Sequence, residues 1–243
     1  MIRRLFTLLF LVLIGIYLIV AVTVFNTRPE GEVCKGVELI VRDSVDHGFI
    51  TTKDVNRILD SHKLQPKGKE MGEINTRAIE EQLSQHPLVR SAECYRTPGG
   101  LITIELTQHV PLLRVMASNG DDYYVDEEGK TMPSVGQSAY VPVATGQIRK
   151  EFATTALYEL AQYLKKHTLW REQVVQINVT GAQEIELVPR VGEHLIFLGK
   201  PGDYDQKFER LEKFYKKALN EIGWNKYARI SLEFDNQIIC TKR

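Results

Sequence analysis

The chain has little with which to do chemistry. Its 243 residues include three cysteines, six histidines and two tryptophans. Three cysteines cannot supply a disulfide framework, and none stands in a Cys-x-x-Cys pair. A surplus of either charge is also missing, since 31 basic residues face 31 acidic ones. Nucleic-acid affinity rests on clustered Lys and Arg neutralising phosphates, so this balance argues against a polyanion partner. There is no Gly-x-Ser-x-Gly elbow, no His-Glu-x-x-His, no phosphate loop and no dinucleotide fingerprint. No Ser-x-x-Lys occurs, which removes the acylating serine of penicillin-binding enzymes. The histidines, at 47, 62, 86, 109, 167 and 194, have no ligand spacing and read as structural. The acidic run Asp121, Asp122, Asp126, Glu127, Glu128 lacks the glycine and closing glutamate of a calcium loop and reads as a solvated hairpin turn. The expectation is a protein without catalytic residues, metal or cofactor.

What the sequence does have is an uncharged start. After Arg3 and Arg4, the run Leu5–Phe25 carries no charge over 21 residues. At a rise of about 1.5 Å per residue this reaches roughly 30 Å, the hydrocarbon thickness of a bilayer. A cleaved signal peptide has a shorter apolar stretch and a small-x-small exit, whereas this run leaves through Val20-Ala21-Val22-Thr23-Val24-Phe25. A soluble core helix would rarely be apolar on every face. Cys34 follows Gly31-Glu32-Val33, which is no lipoprotein signal. The expectation is therefore an uncleaved single-pass helix at 5–25, with residues 1–4 in the cytoplasm by the positive-inside rule. A linker, 26–36, then leads to an exported part in an oxidising space. Cys94 and Cys240 are expected as buried free thiols there, and the pairing of Cys34 is left open.

The exported part divides into two blocks. Residues 37–108 read as strand, helix, helix, strand, strand. Val37–Val41 alternates. Thr51 with Asp54 makes a capping-box pattern ahead of Val55, Ile58 and Leu59. Asn75 can cap a helix with the stripe Ala78, Ile79, Leu83. Ala92 and Cys94, then Ile102, Ile104 and Leu106, face inward on two strands joined by Thr97-Pro98-Gly99-Gly100. Residues 109–243 are richer in strands. A hairpin turns at Asp126-Glu127-Glu128-Gly129, and a helix over 152–165 presents Phe152, Ala156, Leu157, Leu160, Ala161 and Leu164. Strands follow at 174–179, 184–188 and 194–198. A long helix, 203–222, carries Phe208, Leu211, Tyr215, Ala218, Leu219 and Ile222 on one stripe. Two strands close the chain, 228–234 and 237–241.

The last strand draws attention because it ends within three residues of the C-terminus. It reads either as an interior strand paired on both sides or as a sheet edge. An edge offers unpaired N–H and C=O groups to an added strand. Ile238 and Ile239 would face opposite sides of it, and Lys242 and Arg243 could guard it.

In order, these segments resemble the FtsQ/DivIB family of bacterial cell-division proteins. HPLVRSAECYRTPGGLITIEL (86–106) is similar to the end of that family's POTRA unit. HVPLLRV (109–115) sits at the following junction, with Gln108 and His109 in place of the usual acidic-Arg pair. YYVDEEGKTMP (123–133), YVPVATG (140–146), QINVTGAQEIELVPRVGEHLIFLG (176–199), KFERLEKFYKKAL (207–219) and YARISLEFDNQIICTKR (227–243) are similar to successive parts of its β-domain. The resemblance implies an α+β fold: one N-terminal transmembrane helix, a POTRA-like β-α-α-β-β domain and a mixed β-domain with helices. It implies a non-enzymatic divisome scaffold of the inner membrane, found at the septum. FtsB, paired with FtsL, would add a strand to the last strand, and FtsK is the partner implied for recruitment through the POTRA unit. By position, the partner-binding residues are Phe234, as aromatic anchor, with Asp235, Asn236, Gln237, Ile238, Ile239, Cys240 and Thr241. The alternative is a POTRA-containing protein of outer-membrane assembly or transport, though no row of alternating, lipid-facing strands follows. An exported enzyme of unfamiliar type is a third.

Overall fold

A computed structural model describes residues 10–21, 31–42, 50–134 and 139–243. Its first unit runs β1 (Gly36–Val41), α1 (Thr52–Ser61), α2 (Thr76–Ser84), β2 (Val89–Thr97) and β3 (Leu101–Gln108). The sheet order is β1-β3-β2, with β1 parallel and β2 antiparallel to β3. The helix starts are where local chemistry puts them. Thr51 Oγ1 accepts from the Asp54 amide at 3.3 Å and the Asp54 carboxylate accepts from the Thr51 amide at 3.1 Å. The Thr51 hydroxyl also holds the Asp54 carboxyl below its ordinary value. Asn75 Oδ1 accepts from the Ala78 amide at 3.0 Å. Val55, Leu59, Ile79 and Leu83 bury against Cys94, Ile102, Ile104 and Leu106. The expected alternation along β3 fails at Thr103, which is 1% exposed. β3 is the central strand, and Thr103 donates across to Glu38 at 3.3 Å. Cys34 and Cys94 are buried, Cys240 is half-buried, and none of the three is paired.

The second unit is a nine-stranded sheet in the order β12-β11-β10-β9-β8-β7-β4-β5-β6. Its elements are β4 (Pro111–Ala117), β5 (Asp122–Asp126), β6 (Thr131–Pro133), β7 (Val143–Gly146), α3 (150–166), α4 (Thr168–Gln173), β8 (Val174–Val179), β9 (Ile185–Pro189), β10 (Leu195–Gly199), α5 (204–222), β11 (Tyr227–Ser231) and β12 (Ile239–Lys242). β4 with β7, β7 with β8, and β10 with β11 are parallel. Gly146 ends β7 at φ +103°, and a Cβ there would lie 2.2 Å from the Val179 carbonyl. Only glycine lets β7 approach β8 so closely.

Both long helices carry a π-helical turn. α3 is α-helical at Lys150–Phe152, π-helical at Ala153–Leu157 and α-helical at Tyr158–Lys166. α5 does the same at Tyr204–Phe214, Tyr215–Leu219 and Asn220–Ile222. The wider turn rotates each apolar stripe. Ala153 is buried where Ala156 was expected, and Ile222 is 39% exposed rather than part of the stripe. Leu157, Leu160, Leu164, Phe208, Leu211 and Leu219 form the core with Ile177, Ile196 and Ile230.

The two units share side chains. Tyr124 and Met132, on the β5–β6 hairpin, pack into the core of the first unit. At the connection, Gln108 Oε1 accepts from the Ile50 amide at 2.9 Å. His109 Nδ1 lies 2.6 Å from the Asp126 carboxylate. The acidic hairpin is thus not wholly solvated: Asp126 is 1% exposed, and its Oδ1 accepts from the Glu128 and Lys130 amides.

At the N-terminus, residues 10–21 are helical. Among the described residues no helix is long and apolar enough to cross a membrane. Twelve residues give about 18 Å of helix, and 5–9 and 22–25 of the expected span lie outside the described residues.

Candidate partner-binding edge

β12 forms one end of the nine-stranded sheet and pairs with β11 in antiparallel register, Ile230 opposite Cys240 and Ser231 opposite Ile239. Among the described residues no strand pairs with its other side, so of the two sequence readings the structure places it at an edge. The edge of β2 in the first unit is different, because Glu80 Oε1 already accepts from the Cys94 amide at 2.7 Å. That carboxylate and burial together push the Cys94 thiol up to about 12, burial first.

The closing hairpin is shorter in strand and longer in loop than the expected 228–234 and 237–241. β11 stops at Ser231 and β12 starts at Ile239. The reason lies on α5. Lys207, 6% exposed, donates to the Lys200 carbonyl at 2.9 Å, which ties the helix to the end of β10. Burial lowers the Lys207 pKa, opposed by Asp203 and Asp235. One turn on, Arg210 Nη2 donates to the Leu232 carbonyl at 3.1 Å and Nη1 donates to the Phe234 carbonyl. The Leu232 amide still reaches the Phe197 carbonyl at 2.8 Å. Gly199, at φ +71°, leaves room for Glu233, whose Cγ would meet a Cβ at 3.4 Å. The segment after Ser231 therefore follows α5 rather than extending the ladder.

The expected site residues divide by face. Phe234 is 48% exposed at the turn, and Asp235, Asn236 and Gln237 are exposed beside it. Ile238 and Cys240 are half-buried against the core of the second unit, and burial raises the Cys240 pKa. Ile239, 44% exposed, and Thr241 point to the open face of the sheet. On that face the Arg229 guanidinium lies 4.0 Å from the Phe197 ring centroid and 3.0 Å from Glu186. Arg243 pairs with the Glu193 carboxylate and donates to the Glu193 carbonyl at 2.8 Å, fastening the far end of β12. Sequence reasoning missed Arg210 and Lys207. Their only signal was their i, i+3 spacing beside the stripe of Phe208 and Leu211. The chemistry on offer is a row of backbone donors and acceptors, an aromatic side chain and an aliphatic one, all presented by a braced turn.

Elsewhere, His109, Asp126 and Glu128 bring three ligand atoms within 4.8 Å of one another. Side chains already face these acids. His109 Nδ1 lies 2.6 Å from Asp126, while Arg90 and Lys130 reach Glu128 at 2.6 and 3.0 Å.

The family described as "FtsQ/DivIB, C-terminal related" matches residues 110–241, and a "POTRA-like domain" matches residues 32–107. A cell division protein FtsQ of Myxococcus fulvus is 27% identical over 183 residues, covering 70% of this chain and 61% of that protein. One of Geotalea daltonii is 24% identical over 240 residues, covering 94% and 80%. One of Rhodothermus marinus is 24% identical over 185 residues, covering 71% and 67%.

Proposed function

The chain belongs to the FtsQ/DivIB family, and from that premise we propose that it is a membrane-anchored, non-enzymatic scaffold of the division machinery. Its β-domain binds an FtsB–FtsL pair by accepting a strand from the FtsB-type partner along β12. The observation that carries this reading is the side of β12 that no strand among the described residues pairs with, with Phe234 and Ile239 exposed beside it. Backbone pairing supplies affinity in such a union, and side chains on alternate faces supply specificity. Phe234 acts as the aromatic anchor, a residue class favoured at interface hot spots. The POTRA-like unit serves recruitment to the septum, with FtsK as its partner.

Anchoring is supported by the N-terminal helix. Ten of its large apolar side chains, from Phe10 to Val20, are 39–72% exposed, which water disfavours and lipid does not. The 5–25 segment spans the inner membrane once, with the N-terminus in the cytoplasm.

Truncation after Phe234 tests the reading. It should abolish binding to an FtsB–FtsL pair while the protein still inserts in the membrane. Phe234→Ala should weaken binding by about 2 kcal/mol, roughly thirtyfold. Undiminished complex formation by the truncated protein would overturn the proposal.

A further inference from the structure

The Leu232 and Phe234 carbonyls are two residues apart, so in an extended segment they point the same way. A neighbouring strand would ordinarily bond both. Here the Arg210 guanidinium takes both, one from each terminal nitrogen. A planar fork of donors suits such a pair, whereas a lysine ammonium acts as a point charge. We infer that Arg210 is a positioning residue for partner binding: it stands in for a neighbouring strand, ends β11 at Ser231, and holds the Phe234–Gln237 turn so that β12 meets its partner already ordered. This rests on the strand-addition reading above.

Three further observations converge on the same segment. Lys207, one turn before Arg210, fixes α5 to the Lys200 carbonyl, so the guanidinium projects from a fastened helix. Gly199 admits Glu233 against the end of β10. At the other end, Arg243 fastens β12 to Glu193. The strand is thus tied at both ends while its open side stays unpaired among the described residues. Ordering a loop during association weakens affinity by the fraction of molecules that already have it ordered. Where that fraction falls to about a tenth, the apparent Kd rises about tenfold.

The test uses the full chain in detergent micelles, with Arg210→Met, which keeps length and removes the donors, and Arg210→Lys, which keeps one charge. Amide exchange is measured without partner, and Kd and association rate are measured against a purified FtsB–FtsL pair. Arg210→Met should speed exchange across 232–241 while β8, β9 and β10 stay as protected as in the parent. It should weaken binding about tenfold, mostly through the association rate, and Arg210→Lys should fall between. Unchanged exchange at 232–241, or faster exchange throughout the sheet, would overturn the positioning role. Unchanged binding by Arg210→Met alone, with Phe234→Ala and the truncation impaired, would overturn this inference and leave strand addition standing. Unchanged binding by all three would overturn both.

Discussion

Replacing Tyr124 by alanine should separate the unfolding of the two units. The ring belongs to one unit and its backbone to the other. Tyr124 sits on β5 of the large sheet, is 1% exposed, and packs among the core residues of the POTRA-like unit. Its hydroxyl accepts from the Ala139 amide at 3.2 Å, and the Arg114 guanidinium lies 5.6 Å from its ring. Truncating a buried aromatic to alanine costs about 3–5 kcal/mol, and losing the cation–π contact adds about 0.5–1 kcal/mol. A total near 5 kcal/mol corresponds to a drop in Tm of roughly 10–20 °C for a chain of this size. The assay is calorimetry of the full chain in detergent, with near-UV circular dichroism in parallel. The wild type should unfold in one transition, because the shared core couples the units. Tyr124→Ala should show two, the POTRA-like unit melting first. A single transition moved by less than about 2 °C would refute the coupling.

Two other perturbations concern buried polar side chains. His109→Ala removes the imidazole that lies 2.6 Å from Asp126, whose side chain is 2% exposed. Removing one partner from a buried polar group costs about 1–3 kcal/mol, so the urea midpoint should fall below that of Arg77→Ala, whose exposed pair with Glu81 is worth under about 1 kcal/mol. His194 is 1% exposed, its Nε2 lies 2.7 Å from the Tyr215 hydroxyl, and burial lowers its pKa. The unfolded imidazole takes its proton near the ordinary value of 6.5 and the folded one only at lower pH. The unfolded state therefore binds more protons as pH falls below about 6.5, and stability drops there. His194→Gln should flatten the stability profile between about pH 5 and 7, measured by urea titration. His86, also lowered by burial, leaves a residual slope.

What could be read from the sequence was what short-range chemistry decides. The Thr51–Asp54 box, the Asn75 cap and the inward Ile102, Ile104 and Leu106 gave the POTRA-like order, because each depends on neighbours within a few residues. The β12 edge was legible as one of two options, and the sheet order decided it. Other features depend on distant partners. β7 pairs in parallel with both β4 and β8, so it belongs to no hairpin that turn residues would announce. α4 is six residues long, too short for a periodic signal. The π turns at Ala153–Leu157 and Tyr215–Leu219 shift which residues bury, and a 3.6-residue stripe has no means of showing it. Asp126 read as a surface acid because its partner, His109, lies 17 positions away. Arg210 was invisible for a similar reason. Its acceptors are carbonyls 22 and 24 residues on, and any residue type carries a carbonyl.

The most direct test of the scaffold reading is amide exchange along β12 with and without a bound FtsB–FtsL pair. Strand addition predicts that the amides of Ile239 through Lys242 slow sharply on complex formation, with Phe234 losing solvent exposure. Protection that appears elsewhere while those four amides exchange as in the free protein would contradict it.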